Sequence, residues 1–78
     1  MIQPTKTQPK TNPVLENNFR YHSPKPGQAE KYEKLRAKGK ELAYLIEELC
    51  PNSREKSTAL THLETAGMWA NAAIARNE

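Results

Sequence analysis

Between Gln28 and Cys50, Tyr32, Leu35, Gly39, Leu42, Ile46 and Leu49 follow one another at spacings of three and four. That rhythm runs a seam down one side of a helix and predicts a single long amphipathic helix over the segment. At about 1.5 Å rise per residue it would be roughly 35 Å long. A small chain can cover so long a seam only by laying a second helix along it. Pro51 ends the first helix, and Asn52 and Ser53 form a short turn. Asn52 with Glu55 has the spacing of a capping box, so a second helix is predicted from about Ser53 to Arg76. A connection this short favours an antiparallel pair. The expected fold is therefore all-α: an antiparallel helical hairpin with helices at about 28–50 and 53–76.

The second helix carries two adjacent stripes. Leu60, Leu63, Gly67, Ala70 and Ile74 form one; Ala59, His62, Ala66, Trp69 and Ala73 form the other. One stripe suffices to pack on the first helix. The other would be exposed in a monomer, and contiguous apolar surface of that kind marks an interface. The pattern thus predicts self-association through the second helix, with Trp69 as a core or interface anchor rather than a ligand platform. His62 reads as a hydrogen-bonded interface residue. Gly39 lies on the first helix's seam at a cost of about 1 kcal/mol relative to alanine. Its position predicts that another backbone comes close there.

Upstream of the hairpin the pattern changes. Residues 1–18 contain three prolines and little apolar content before Val14 and Leu15. They are expected to form a flexible or extended arm, with Val14 and Leu15 at the start of a short turn ending at Asn17 and Asn18. Residues 19–78 are expected to be the hairpin domain. Its first segment, Phe19 to Gly27, packs two aromatics, a histidine, two cations and two prolines into nine residues. Pro24 and Pro26 hold this loop extended. A rigid basic and aromatic loop beside a helix start can form a ligand edge, through Tyr21, His22 and Lys25. The Tyr21 ring can either pack or stack on a flat ligand. Phe19 reads as a hydrophobic plug on the end of the bundle, and His22 as a hydrogen-bonded loop residue rather than a base. Gly27 can cap the first helix, with Glu30 in the capping-box position.

Charge sharpens this picture. Met1–Lys40 holds nine basic and three acidic residues, and Glu41–Glu78 three basic and six acidic, within a net charge of +3. A positive end on a helical scaffold is an electrostatic address for anions; it is also what a plain solvated face looks like. The 78 residues with 36% hydrophobic content imply a thin core. Small chains of this kind use disulfides, metals or assembly. Cys50 stands alone and no metal-ligand cluster occurs, which leaves assembly. No apolar run reaches membrane-span length, and the N-terminus lacks a signal-peptide block. A soluble protein of a reducing cytoplasm, away from membranes, is expected. No nucleophile and base pair up, and the glycines form no phosphate-cradling loop. The chain is expected to be a binding module without a cofactor, and not an enzyme.

The same residues carry a resemblance. The F-x-Y-H-x-P motif at Phe19, the C-P-x-S-R-E-K-S link at Cys50 and the W-A-N-A-x-I-A-R-N-E tail at Trp69 resemble the phage anti-CBASS and anti-Thoeris hairpin-domain proteins. The resemblance covers about Leu15 to Glu78. It implies a sponge that binds the cyclic nucleotide messengers of bacterial immunity without cleaving them. It also implies a homo-hexamer built from dimers, with cyclic dinucleotides held between the N-terminal regions of paired subunits. Some members also take cyclic trinucleotides at a separate pocket, and related ones take cyclic ADP-ribose isomers. By the same resemblance Tyr21 matches the base-stacking tyrosine. Arg36 stands where a phosphate-binding lysine is expected, which keeps charge and changes geometry. Arg76 is the candidate for the second pocket. A cyclic dinucleotide offers two flat bases and two phosphates, which suit aromatic faces and cations presented twice by a two-fold dimer. Polymeric nucleic acid is not the expected partner. Two other readings of the residues stand beside this one: a DNA- or RNA-binding adaptor using Lys31, Lys34 and Lys38, and a coiled-coil adaptor without a small ligand.

Overall fold

The computed structural model describes residues 11–78. Three helices run in order: α1 Pro13–Asn18, α2 Gln28–Leu49 and α3 Arg54–Asn77. Among the described residues there is no strand, and no helix is long and apolar enough to cross a membrane.

α2 and α3 pack on each other as an antiparallel hairpin. Contacts at both ends fix the direction: Lys31, near the start of α2, meets Glu78 just past α3, while Glu47, near the end of α2, meets Lys56 in the first turn of α3. Along the seam, Tyr32, Gly39, Ala43 and Ile46 of α2 are half-buried, as are Leu60, Leu63, Ala70 and Ile74 of α3. These positions are three, four or seven apart, so each helix turns one edge toward the other. The second stripe of α3 stays wet: Ala59, His62, Ala66, Trp69 and Ala73 are all exposed. No apolar side chain among the described residues is fully buried, and Leu35, Leu42 and Leu45 are each more than two-fifths exposed. The lone hairpin has a seam but no sealed core.

The link between the helices is held by polar groups. Cys50 stands in extended backbone before Pro51 and closes α2 by donating its amide to Ile46 O at 3.0 Å. The cap of α3 is Ser53, whose Oγ accepts from the Lys56 amide at 3.1 Å. The predicted box led by Asn52 is therefore corrected by one residue. Asn52 serves differently: its Oδ1 accepts from Lys56 Nζ at 3.1 Å. The same ammonium donates to Glu47 O at 3.0 Å and sits 3.3 Å from Glu47 Oε1. Lys56 is only 8% exposed. Its stem covers the link while its head satisfies the Glu47 carbonyl at the C-terminal end of α2, which lacks a partner within its own helix.

Three further expectations need correction. The arm expected over residues 1–18 lies outside the described residues for 1–10, but Pro13–Asn18 is helical. Asn12 starts it, its Oδ1 accepting from the Val14 and Leu15 amides at 3.0 and 3.3 Å, and Pro13 at the first position needs no amide partner. At the start of α2, Gly27 occupies the cap position with φ 85°, in the left-handed region. The turn there is closed by Gln28, whose amide donates to Lys25 O at 3.0 Å, rather than by the expected Glu30 box. Finally, no backbone approaches Gly39 within the chain. A Cβ placed on Gly39, or on Gly67, would meet nothing within 4 Å. Both glycines line an open groove of about 830 Å³ between α2 and α3.

Candidate ligand site at the loop end of the hairpin

The loop Phe19–Gly27 enters from α1 and turns into α2, and its two ends are tied to one place. On the α1 side, Asn17 Nδ2 donates to Arg76 O at 3.0 Å. His22 Nε2 lies 2.7 Å from Asn17 O. A carbonyl can only accept, so that nitrogen carries the proton. Arg20 adds a bond from Nη2 to Asn17 Oδ1 at 3.0 Å. On the α2 side, Gln28 Oε1 accepts from the Lys25 amide at 2.9 Å and Gln28 Nε2 donates to Glu78 Oε1 at 3.2 Å. Lys25 Nζ reaches Glu78 O, and Lys31 pairs with the Glu78 carboxylate. Gln28 is the most enclosed residue of the clasp, at 3% exposure.

Glu78 is thus surrounded by donors. Its bond from Lys31, then its bond from Gln28, lower its pKa from the ordinary value, against a smaller opposing effect of burial; the charges of Lys31 and Lys25 lower it further. It is a carboxylate at neutral pH, and it neutralises part of the positive end of the hairpin.

Tyr21 stands apart from this network. Its ring is 81% exposed, on a loop whose flanks are anchored. Proline on both sides of Lys25 and the His22 bond limit where that ring can go. A flat aromatic face held out to solvent is able to stack on a base.

The five residues expected at the site fall into two groups. His22, Lys25 and Arg76 come together at the clasp, with Tyr21 on the same loop. Arg36 does not join them. It lies on α2 about two turns beyond Gln28, exposed on the rim of the groove with Lys40, where Glu47 and Glu64 also line the wall. His22 and Lys25 are engaged within the chain, at Asn17 O and Glu78 O respectively. Arg76 contributes its carbonyl to Asn17 and holds its guanidinium 5.8 Å from the centre of the Trp69 ring, within reach of a cation–π contact. Asn17, Gln28 and Glu78 are the residues that sequence reasoning did not single out. Each has a partner about fifty or more positions away, so no local pattern announces that contact.

A family model described as Acb2/Tad1, hairpin domain, matches residues 11–75. The chain belongs to the Acb2/Tad1 hairpin-domain family. This is the sponge family that acts against CBASS and Thoeris defence. The match takes in α1, the loop, α2, the Ser53 link and most of α3. It stops short of Arg76, Asn77 and Glu78, so the α3 side of the clasp lies just beyond the matched segment of the Acb2/Tad1 domain. No curated protein and no solved structure gives a significant match to the chain.

Proposed function

We propose that this protein sequesters cyclic dinucleotide immune messengers, without breaking them, as a phage-encoded sponge in the cytoplasm of the host bacterium. Membership of the sponge family supports the class of ligand. The observation that carries the reading to this chain is the solvent-facing Tyr21 ring on a loop anchored at both flanks. Tyr21 stacks on a base, and Arg36 meets a phosphate by charge-assisted hydrogen bonds. The binding unit is a two-fold pair of hairpins, which offers each group twice to a ligand with two bases and two phosphates. Pairs build to a hexamer through the apolar surface that the lone chain leaves uncovered. Cyclic trinucleotides would take a second site near Arg76. No step requires a nucleophile or a cofactor: retention alone lowers the free messenger.

Calorimetry tests this directly. The protein is titrated with cyclic dinucleotides, cyclic trinucleotides and cyclic ADP-ribose isomers, and the ligand is recovered and weighed afterwards. Saturable heat with cyclic dinucleotides and an intact ring is the expected result. Silence with every cyclic dinucleotide at micromolar concentration, or a linearised product, overturns the proposal. A gel shift on random duplex DNA separates it from a basic adaptor, whose binding would fall steeply with salt.

A further inference from the structure

The clasp contains a device that hairpin packing does not require. The α2–α3 seam runs from Tyr32 to Ile46 and from Leu60 to Ile74, and the far end is locked by Lys56. Gln28 and Glu78 lie outside that seam, yet Gln28 is nearly sealed from solvent and uses both ends of its amide. One end takes the Lys25 amide, which fixes the turn Lys25–Gly27. The other reaches Glu78, which Lys31 and Lys25 hold in turn.

We infer that Gln28 and Glu78 are positioning residues for Tyr21: together they fix the turn that presents the tyrosine ring to a bound base. This rests on the sponge reading above. An amide suits the Gln28 position because it donates and accepts at once. A carboxylate there would face Glu78 with like charge, and alanine would leave the Lys25 amide without its partner. The α1 side of the loop is already tied through Asn17 and His22. Losing either side chain loosens the α2 side, which keeps the backbone bond from Gln28 to Lys25 O, and leaves Tyr21 on a segment firmly anchored at one flank only. Binding would then have to order that segment, at a conformational cost that a pre-set loop avoids.

The experiment uses the full chain, four single variants (Gln28→Ala, Glu78→Ala, Glu78→Gln and Tyr21→Ala), and the two double variants that combine Gln28→Ala or Glu78→Ala with Tyr21→Ala. Without ligand, hydrogen exchange is followed at the amides of residues 19–28. Gln28→Ala and Glu78→Ala should exchange roughly tenfold faster there with helix content unchanged, and Glu78→Gln, which keeps an acceptor for Gln28, should fall between them and wild type. Binding is then measured with whichever of cyclic di-AMP, cyclic di-GMP and cyclic GMP-AMP wild type holds best. Gln28→Ala and Glu78→Ala should each weaken it about tenfold, and that loss should shrink when Tyr21 is already alanine. A loss of the same size in the Tyr21→Ala background overturns the inference while leaving the sponge reading intact, as do unchanged exchange and unchanged affinity. Failure of wild type to bind any of the three removes both. Should Gln28→Ala fold poorly, the two Glu78 variants at the exposed helix end carry the same test.

Discussion

Asn17 donates its side-chain amide to the carbonyl of Arg76, 3.0 Å away, across 59 positions of sequence. Its own carbonyl meets His22 at 2.7 Å, and its Oδ1 meets Arg20 at 3.0 Å. One short polar side chain and its backbone therefore join α1, the loop and the last turn of α3. Carbonyls in that last turn have no helical amide left to bind, and Asn17 supplies one.

Lys56 is predicted to be the most sensitive polar residue of the link. Lys56→Ala removes the donor shared by Glu47 O and Asn52 Oδ1 and uncovers the turn. A loss of about 1–3 kcal/mol is expected in denaturant unfolding. Glu47→Gln should cost less, because the Glu47 carbonyl remains in place. Equal losses would mean that the ion pair, not the backbone contact, holds the link.

Gly39 and Gly67 should each accept alanine in the dissociated hairpin. Neither site has an atom within 4 Å of an added Cβ, and alanine is favoured over glycine in a helix interior by up to ~1 kcal/mol. Thermal melts at high dilution should shift upward. A downward shift there would show that the groove closes within the single chain.

Tyr21→Ala should weaken cyclic dinucleotide binding by at least ~1 kcal/mol, about fivefold or more, with the circular dichroism of the hairpin unchanged. Tyr21 is 81% exposed, so little packing is lost with its ring. Wild-type affinity in this variant would take Tyr21 out of the site.

Trp69 lies on the outer stripe of α3 at 64% exposure. If that stripe is the surface through which copies meet, Trp69→Glu should cost about 2 kcal/mol or more of association. Sedimentation would then show a smaller species at micromolar concentration. An unchanged mass would place the contact elsewhere.

Acid should loosen the clasp before it melts the helices. Glu78 has its pKa lowered in the folded chain, by Lys31 and Gln28 first. Its contribution is therefore present above its ordinary value of 4.5 and lost as pH falls through the lowered one. Lys25 and Lys31 stay charged throughout that window. As pH falls through that lowered value, loop amides should exchange faster in wild type and show no such step in Glu78→Gln.

How much of this was legible in the sequence depends on the range of the interaction. The seam of α2 and the two stripes of α3 are local periodicities, and they fall only in part where the spacing puts them: Tyr32, Gly39 and Ile46 turn inward, whereas Leu35, Leu42 and Leu49 stay exposed and Ala43 takes an inner place. The Pro51 stop and the short link are equally local. Ser53 and Asn52 are both good caps side by side, and only geometry chooses between them. The helix at Pro13 had a signal in Asn12–Pro13, outweighed by the polar, proline-bearing composition around it. Lys56 looks like any surface cation until the turn folds over its stem. The clasp was out of reach, because Gln28 and Glu78 meet across 50 positions and neither is unusual in its own neighbourhood. Arg36 illustrates the converse. Its place on α2 was legible, but its separation from the His22 and Arg76 cluster follows from how the loop folds back.

The want of any fully enclosed apolar side chain has a biological corollary. Should copies supply the missing shelter to one another, the lifetime of each chain depends on how many others have been made. Scarce molecules would spend more time open and be degraded sooner, while abundant ones would protect each other. Potency would then switch on at a threshold of gene dosage rather than rise in proportion to it.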